Sequence, residues 1–366
     1  MSSAHASATQ WLLDGPVATV LWRLATPNVF AVATMTAVTF ADAWYVGQLG
    51  TAALASLALA FPFLTLMQMM AGGAIGGGVT SAVARALGAG AVDRAESAAW
   101  HAVLIAVAMS GIFMFLLGLF ARPIFALLGG EGAALDGAVA YARVTFGGAA
   151  AIWFVFVLSA IQRGTGDTAT PARAIATASI VQVVLSGALT LGWFGLPRLG
   201  VAGAATAMVL CQGAAAAYLA LHLVRGKGRL RLRPHALQWP PVRDIMNVGG
   251  IGLINSFCMA MTVVVVTGLV GRYGTAALAG YGLGARLELM LVPIAFGVGA
   301  ALTAAVGINV GAEQFARARR IAWAGAGVPL ALTGLLDYGD SLLNPQLYAD
   351  LDYASSLNWG FSKLSP

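Results

Sequence analysis

Charge is what this sequence has least of. Only 9% of its 366 residues are Asp, Glu, Lys or Arg, against about 25% in soluble domains, and a water-facing surface cannot be covered from so small a supply. Cysteine is scarce too. Cys211 and Cys258 each lie inside an apolar run, which excludes a disulfide framework and gives no thiolate metal site. The four histidines show no metal-ligand spacing, and no Ser, His and Asp set can be assembled. The glycines at 72, 73, 76, 77 and 78 lack the strand and the GKS or GKT of a phosphate loop and are read as close helix packing. Catalysis, a bound metal and a cofactor are therefore not expected. Glycine, at 46 residues, has no three-residue period, so a collagen-like rod is excluded as well. No basic stretch followed by a small-residue cleavage site precedes Trp11, so no removable leader is expected there.

What is present is apolar: 59% of the chain. A helix needs about 20 residues to cross the hydrocarbon layer. Runs of that kind lie near 17–46, 54–84, 96–120, 137–161, 172–194, 200–224, 246–271, 278–308 and 318–336. They predict an all-α polytopic membrane protein with nine helices in this chain. A membrane barrel is excluded, because the runs are continuously apolar and lack a ten-residue alternation. The 20 Lys and Arg lie mostly between the runs, so the net charge of +6 is not a nucleic-acid footprint. Thirteen of them, Arg85, Arg94, Arg163, Arg173, Arg225, Lys227, Arg229, Arg231, Arg233, Arg243, Arg317, Arg319 and Arg320, fall in loops on the side of the N-terminus. Three, Arg122, Arg198 and Arg272, fall opposite. By the positive-inside rule the N-terminus is cytoplasmic, in a multi-pass inner-membrane protein expected as a monomer whose partners are the bilayer and small molecules.

The chain also repeats itself. Residues 47–55 read GQLGTAALA and residues 271–279 read GRYGTAALA, seven of nine identical at an offset of 224. Residues 88–100 and 311–323 match at six of thirteen, at an offset of 223. Six helices separate equivalent points, so both copies enter the membrane with the same polarity, as parallel repeats. The expected organisation is a cytoplasmic N-terminus at 1–16, a six-helix lobe at 17–225, a basic linker at 226–245, an incomplete second lobe at 246–336 carrying helices seven to nine, and a divergent polar tail at 337–366. By the same offset the second copy would extend to about 450. Instead the match ends where Met114 would face Asp337, and the last 30 residues hold four Asp and no plausible span, which reads as truncation or a frame change, with a natural polar tail as the alternative.

Two acids fall well inside the runs, Asp42 and Glu288, and an intramembrane carboxylate is read first as functional. The bland alternatives are a helix-end carboxylate for Asp42 and an ion pair with Arg286 for Glu288. Topology puts Tyr141, Gln182, Ser186 and Thr206 at the depth of Asp42, and helix five carries Ser179, Gln182, Ser186 and Thr190 as one stripe spaced three, four and four. Asp42, Tyr141, Gln182, Ser186 and Thr206 are thus the candidate cation or proton site, with interhelical glue as the competing reading. Pro27, 15 residues earlier in the same helix, is the candidate hinge. Met67, Gln68, Met259 and Glu288 are the candidate substrate-cavity residues, since methionine suits variable ligand shapes, though core filling is its commoner job.

Together these features resemble the multidrug and toxic compound extrusion (MATE) transporters. The resemblance rests on Pro27, the segment ADAWYVGQLGTAALA around Asp42, RGTGDTATP at 163–171, LGVAGAA at 199–205 and YGLGARLE at 281–288, and spans residues 17 to about 336. It implies two six-helix lobes and export of cationic or amphipathic compounds driven by inward protons or sodium. It also implies that Asp42 binds the coupling ion. Gln182 and Ser186 stand where that branch has Asn and a second Asp, and this favours a proton over sodium, which wants several hard oxygen ligands. A lipid-linked precursor flippase is the alternative within the superfamily, disfavoured because few basic residues, chiefly Arg23, Arg143 and Arg286, lie within the runs. A truncated, non-transporting membrane protein is the alternative outside it.

Overall fold

In lipid a lone segment satisfies its backbone polar groups only by coiling into a helix, so long apolar runs leave one local solution. The computed structural model follows it. Residues 10–226, 228–271 and 275–343 are described, the side chains at 260, 263–268, 270, 271, 275–292, 329, 330 and 332–343 excepted. The elements are α1 (Val17–Gly47), α2 (Thr51–Gln68), a π-helical turn (Met69–Ile75), α3 (Gly76–Gly88), α4 (Val92–Leu119), α5 (Ala121–Leu127), α6 (Gly132–Gly147), α7 (Ala149–Gly164), α8 (Ala169–Leu191), α9 (Val201–Val224), α10 (Trp239–Gly271), α11 (Thr275–Gly311) and α12 (Phe315–Leu343). No strand occurs among the described residues.

Each of the nine expected runs is helical, with two differences. The fourth is broken at Gly148 into α6 and α7, bent by 47°. The ninth continues to Leu343, through Asp337 and Asp340, beyond the point where its apolar character ends. Large apolar side chains stay exposed along the bundle wall, Leu119 at 68% for one, as befits a surface facing lipid. Trp22 and Trp44 stand outward near the two ends of α1, where amphipathic rings favour the membrane interface.

The first lobe closes on Trp153, Phe146, Phe125 and Met67, all fully buried. Against these helices α11 packs along α1 and α3, and α10 packs on the π turn and α3. Between apolar helices in lipid, backbone approach takes the place of a hydrophobic drive. At this junction the approach is reciprocal. A Cβ on Gly88 would overlap the Ile308 carbonyl, and a Cβ on Gly311 would overlap the Arg85 carbonyl. Under the 223-residue offset these two contacts exchange, Gly88 with Gly311 and Arg85 with Ile308. A Cβ on Gly307 would lie 2.7 Å from Ala84, its own equivalent. The sequence repeat thus appears in space as a reciprocal set of contacts between equivalent positions.

Backbone cannot step aside as a side chain can. Gly88→Ala and Gly311→Ala are each expected to cost about 1–3 kcal/mol or more and to lower the melting midpoint of the detergent-solubilised protein. Gly111→Ala, where a Cβ meets nothing within 4 Å, is expected to leave it unchanged or raise it. Equal midpoints for all three would show that the crossing is not tightly closed.

Candidate functional site

Asp42 sits five residues before the end of α1, about 7 Å along the helix axis. There α1 packs along α8. The stripe read from the sequence faces this contact: Ser179, Gln182, Ser186 and Thr190 are all buried, none more than 3% exposed. The Ser186 hydroxyl donates to Asp42 Oδ1, and Gln182 is within hydrogen-bonding reach of the same carboxylate. Asp42, Tyr141 from α6, Gln182, Ser179, Gln68 from α2 and Gln212 from α9 line one cavity of about 60 Å³, room for a few water molecules. Ser179 Oγ and Gln212 Oε1, both buried, have no protein partner. The ion pairs Arg85 with Asp244 and Arg122 with Asp136 lie elsewhere, and no cation pairs with Asp42 among the described residues.

The structure therefore brings together Asp42, Tyr141, Gln182 and Ser186. Thr206 is apart from them: its hydroxyl donates to the Ala202 carbonyl in its own helix, and it does not line the cavity. Pro27 lies within α1 and borders a second cavity with Trp11, Arg23, Leu24 and Arg229 at the end rich in basic loops. Of the expected substrate-cavity residues, Gln68 lines the Asp42 cavity instead, Met67 is core filling at 0% exposure and Met259 is 52% exposed. The side chain of Glu288 lies outside the described residues.

Three residues were not singled out from the sequence. Ser179 was seen only as part of the stripe, and Gln212, a lone amide in an Ala-rich run, gave no signal. Arg163 reads from the sequence as a loop residue, whereas it occupies the last turn of α7 with 4% exposure. The motif that follows explains the difference. Gly166 turns the chain with φ of +85°, a conformation that favours glycine, and Asp167 Oδ1 accepts from the Thr170 amide at 3.0 Å, capping α8 as carboxylates do at helix starts. Arg163 is thereby held on the helical side of the turn, facing inward.

The MatE family model matches residues 27–187 and 253–336, well over half of the chain. The chain belongs to the MatE family. Members of this family are transporters, not enzymes, and the apolar helices make this one a multi-pass membrane protein. The FAD transporter of Shewanella oneidensis is 28% identical over 315 residues, which are 84% of this chain and 69% of that protein. A probable multidrug resistance protein NorM of Thermotoga maritima is 30% identical over 232 residues, 63% of this chain and 50% of that one. A MOP superfamily transporter from Pyrococcus furiosus shares the fold, with a TM-score of 0.85 at 23% identity over 93% of this chain and 75% of that chain. This MatE chain thus spans between half and three quarters of the length of these relatives.

An unpaired carboxylate in an apolar bundle is a strain on the fold that a neutral amide of the same shape relieves. Asp42→Asn is expected to raise the melting midpoint at neutral pH, or to leave it level. A clear fall would mean that the carboxylate is paired by a cation.

Proposed function

We propose that this chain exports cationic or amphipathic compounds across the inner membrane in exchange for protons, with Asp42 as the coupling group. One observation carries the reading: a carboxylate between α1 and α8 held by neutral donors and, among the described residues, by no cation. A charge inside a membrane bundle is costly, and hydrogen bonds from Ser186 and Gln182 return part of that cost. With no cation among the described residues to fix the charged form, the site can hold Asp42 with or without its proton.

Protonation removes the reason for Ser186 and Gln182 to hold α1 against α8. Pro27 leaves α1 one backbone hydrogen bond short midway along the helix, so α1 can straighten or bend there. Binding of a compound between the lobes then favours one shape and proton uptake the other, which is coupling by differential affinity. Sodium is the weaker candidate, since Ser186 replaces a second carboxylate, and that loss weakens a sodium site more than it weakens a lone protonatable acid. With this reading go a cytoplasmic N-terminus, a lobe boundary in the basic linker at 226–245, and a monomer as the working unit. The multidrug and FAD relatives leave the cargo open between organic cations and larger amphipathic compounds.

Everted membrane vesicles with an acidified interior, given ethidium in the external medium, test the reading. Asp42→Asn should reduce proton-driven ethidium transport to the level of vesicles without the protein while membrane insertion is unchanged, and replacing sodium by choline should leave the wild type unaffected. Full transport by the variant would remove Asp42 from the mechanism. Wild-type transport at background level would overturn the export reading itself.

A further inference from the structure

We infer that the cleft between the lobes contains a binding site for an amphipathic organic anion, whose carboxylate or phosphate is taken by Arg163. The site is separate from the Asp42 cavity. It is a space of about 290 Å³ between the π turn and α3 on one side and α11 on the other, and Arg163 stands at its wall.

Arg163 is 96% buried, being 4% exposed. Its Nε has no hydrogen-bond partner, and its guanidinium makes no hydrogen bond or ion pair among the described residues. The neighbour it does have is the ring of Phe296, 6.0 Å from the guanidinium carbon. A guanidinium carries five N–H donors in a planar fork. Burying that fork with no acceptor is costly, and the fork matches carboxylate and phosphate oxygens two at a time. In a membrane bundle such a group marks a ligand path by default.

The walls leave the room that an anion would need. A Cβ placed on Gly73, Gly77 or Gly299 would meet nothing within 4 Å, so these glycines face open space and are not packed against a neighbour. This contrasts with Gly88 and Gly311 three turns away on the same helices, where the backbones touch. The π turn widens the helix at this point, as such turns often do at functional sites. Phe296 offers an apolar face beside the charge, which fits a ligand that is part anion and part hydrocarbon.

The inference extends the export reading to a class of ligand and rests on that reading only for treating the cleft as a path. Its test reads binding, whereas the coupling test reads transport, so the two can fail separately. The probes are 1-naphthyl phosphate and 1-naphthol, which share the ring system and differ in the anion, titrated by fluorescence into the protein in phosphatidylcholine nanodiscs. The phosphate should bind the wild type about tenfold or more tightly than the phenol. Arg163→Gln should abolish that preference, Arg163→Lys should retain part of it, and Gly77→Leu, which fills the space without touching the charge, should weaken both probes. Repeating the titration in phosphatidylglycerol nanodiscs separates the sources of the anion. Loss of the preference there assigns the site to lipid headgroups, and its survival assigns it to soluble compounds. Equal binding of both probes by the wild type, or a preference that survives Arg163→Gln in a protein with an unaltered melting midpoint, would overturn the inference.

Discussion

A charge carried into an apolar bundle must be met by dipoles, by an opposite charge or by a ligand, and this constraint governs both sites in the structure. Asp42 is met by dipoles. The Ser186 hydroxyl and the Gln182 amide sit one helical turn apart on α8, and neutral donors of this kind lighten the cost of the charge without cancelling it. Among the described residues Arg163 is met by an aromatic face alone. A cation above a ring gains about 0.5–2 kcal/mol, less than the several kcal/mol that a buried ion loses on leaving water. The acid is thus met in part by neutral dipoles, while the base, which stays charged in proteins, calls for a partner.

The lobes meet in a way that makes the second site possible. Near the basic loops α3 and α11 are pressed backbone to backbone at Gly88 and Gly311. Some three turns deeper, about 16 Å at 1.5 Å per residue, the same helices stand apart around Gly77 and Gly299. Two helices that touch at one end and diverge toward the other form a wedge. The lining of that wedge keeps the repeat: under the 223-residue offset Thr80 pairs with Thr303 and Gly76 with Gly299, all four on its wall. The symmetry fails where Gly73 would pair with Phe296, and that phenylalanine is the ring beneath Arg163. Duplication built the space, and departure from the repeat gave it chemical character.

Much of this was legible in the sequence because each signal was local. Apolar runs fixed nine helices, since in lipid nothing else closes the backbone, and the three, four, four spacing of the α8 stripe placed Gln182 and Ser186 on the face toward Asp42. The crossing of the lobes was half legible: the repeat at 88 and 311 could be aligned, but nothing in one dimension says that equivalent positions will meet in space. Arg163 was illegible for a physical reason. A basic residue beside a run of Gly, Thr and Asp looks like a solvated loop, and only the turn at Gly166 with the Asp167 cap reveals that the helix has not yet ended. Met67 and Met259 failed the other way, because a methionine in a membrane run carries no mark of whether it packs, faces lipid or meets a ligand. Thr206 reached the right depth on the wrong face, since depth follows from counting residues while rotation about the helix axis depends on packing.

The two sites lie in different cavities, yet one line of contact joins them. Asp42 and Pro27 share α1, and just past Pro27 that helix passes α11 at Val29, so closely that a Cβ on Gly297 would lie 2.7 Å from the Val29 amide nitrogen. Gly297 follows Phe296, the residue against Arg163. A bend in α1 at Pro27 displaces Val29, and Val29 has no space to move toward α11 without carrying the Gly297 backbone and its neighbouring ring. Spatial contiguity alone does not make a coupling pathway. Here the route runs through a close approach of the Val29 side chain and backbone to a glycine, and close-packed interiors transmit strain. On the proposed reading, a change of protonation at one end of α1 reaches the Arg163 cleft through this contact and the Phe296 ring beside it.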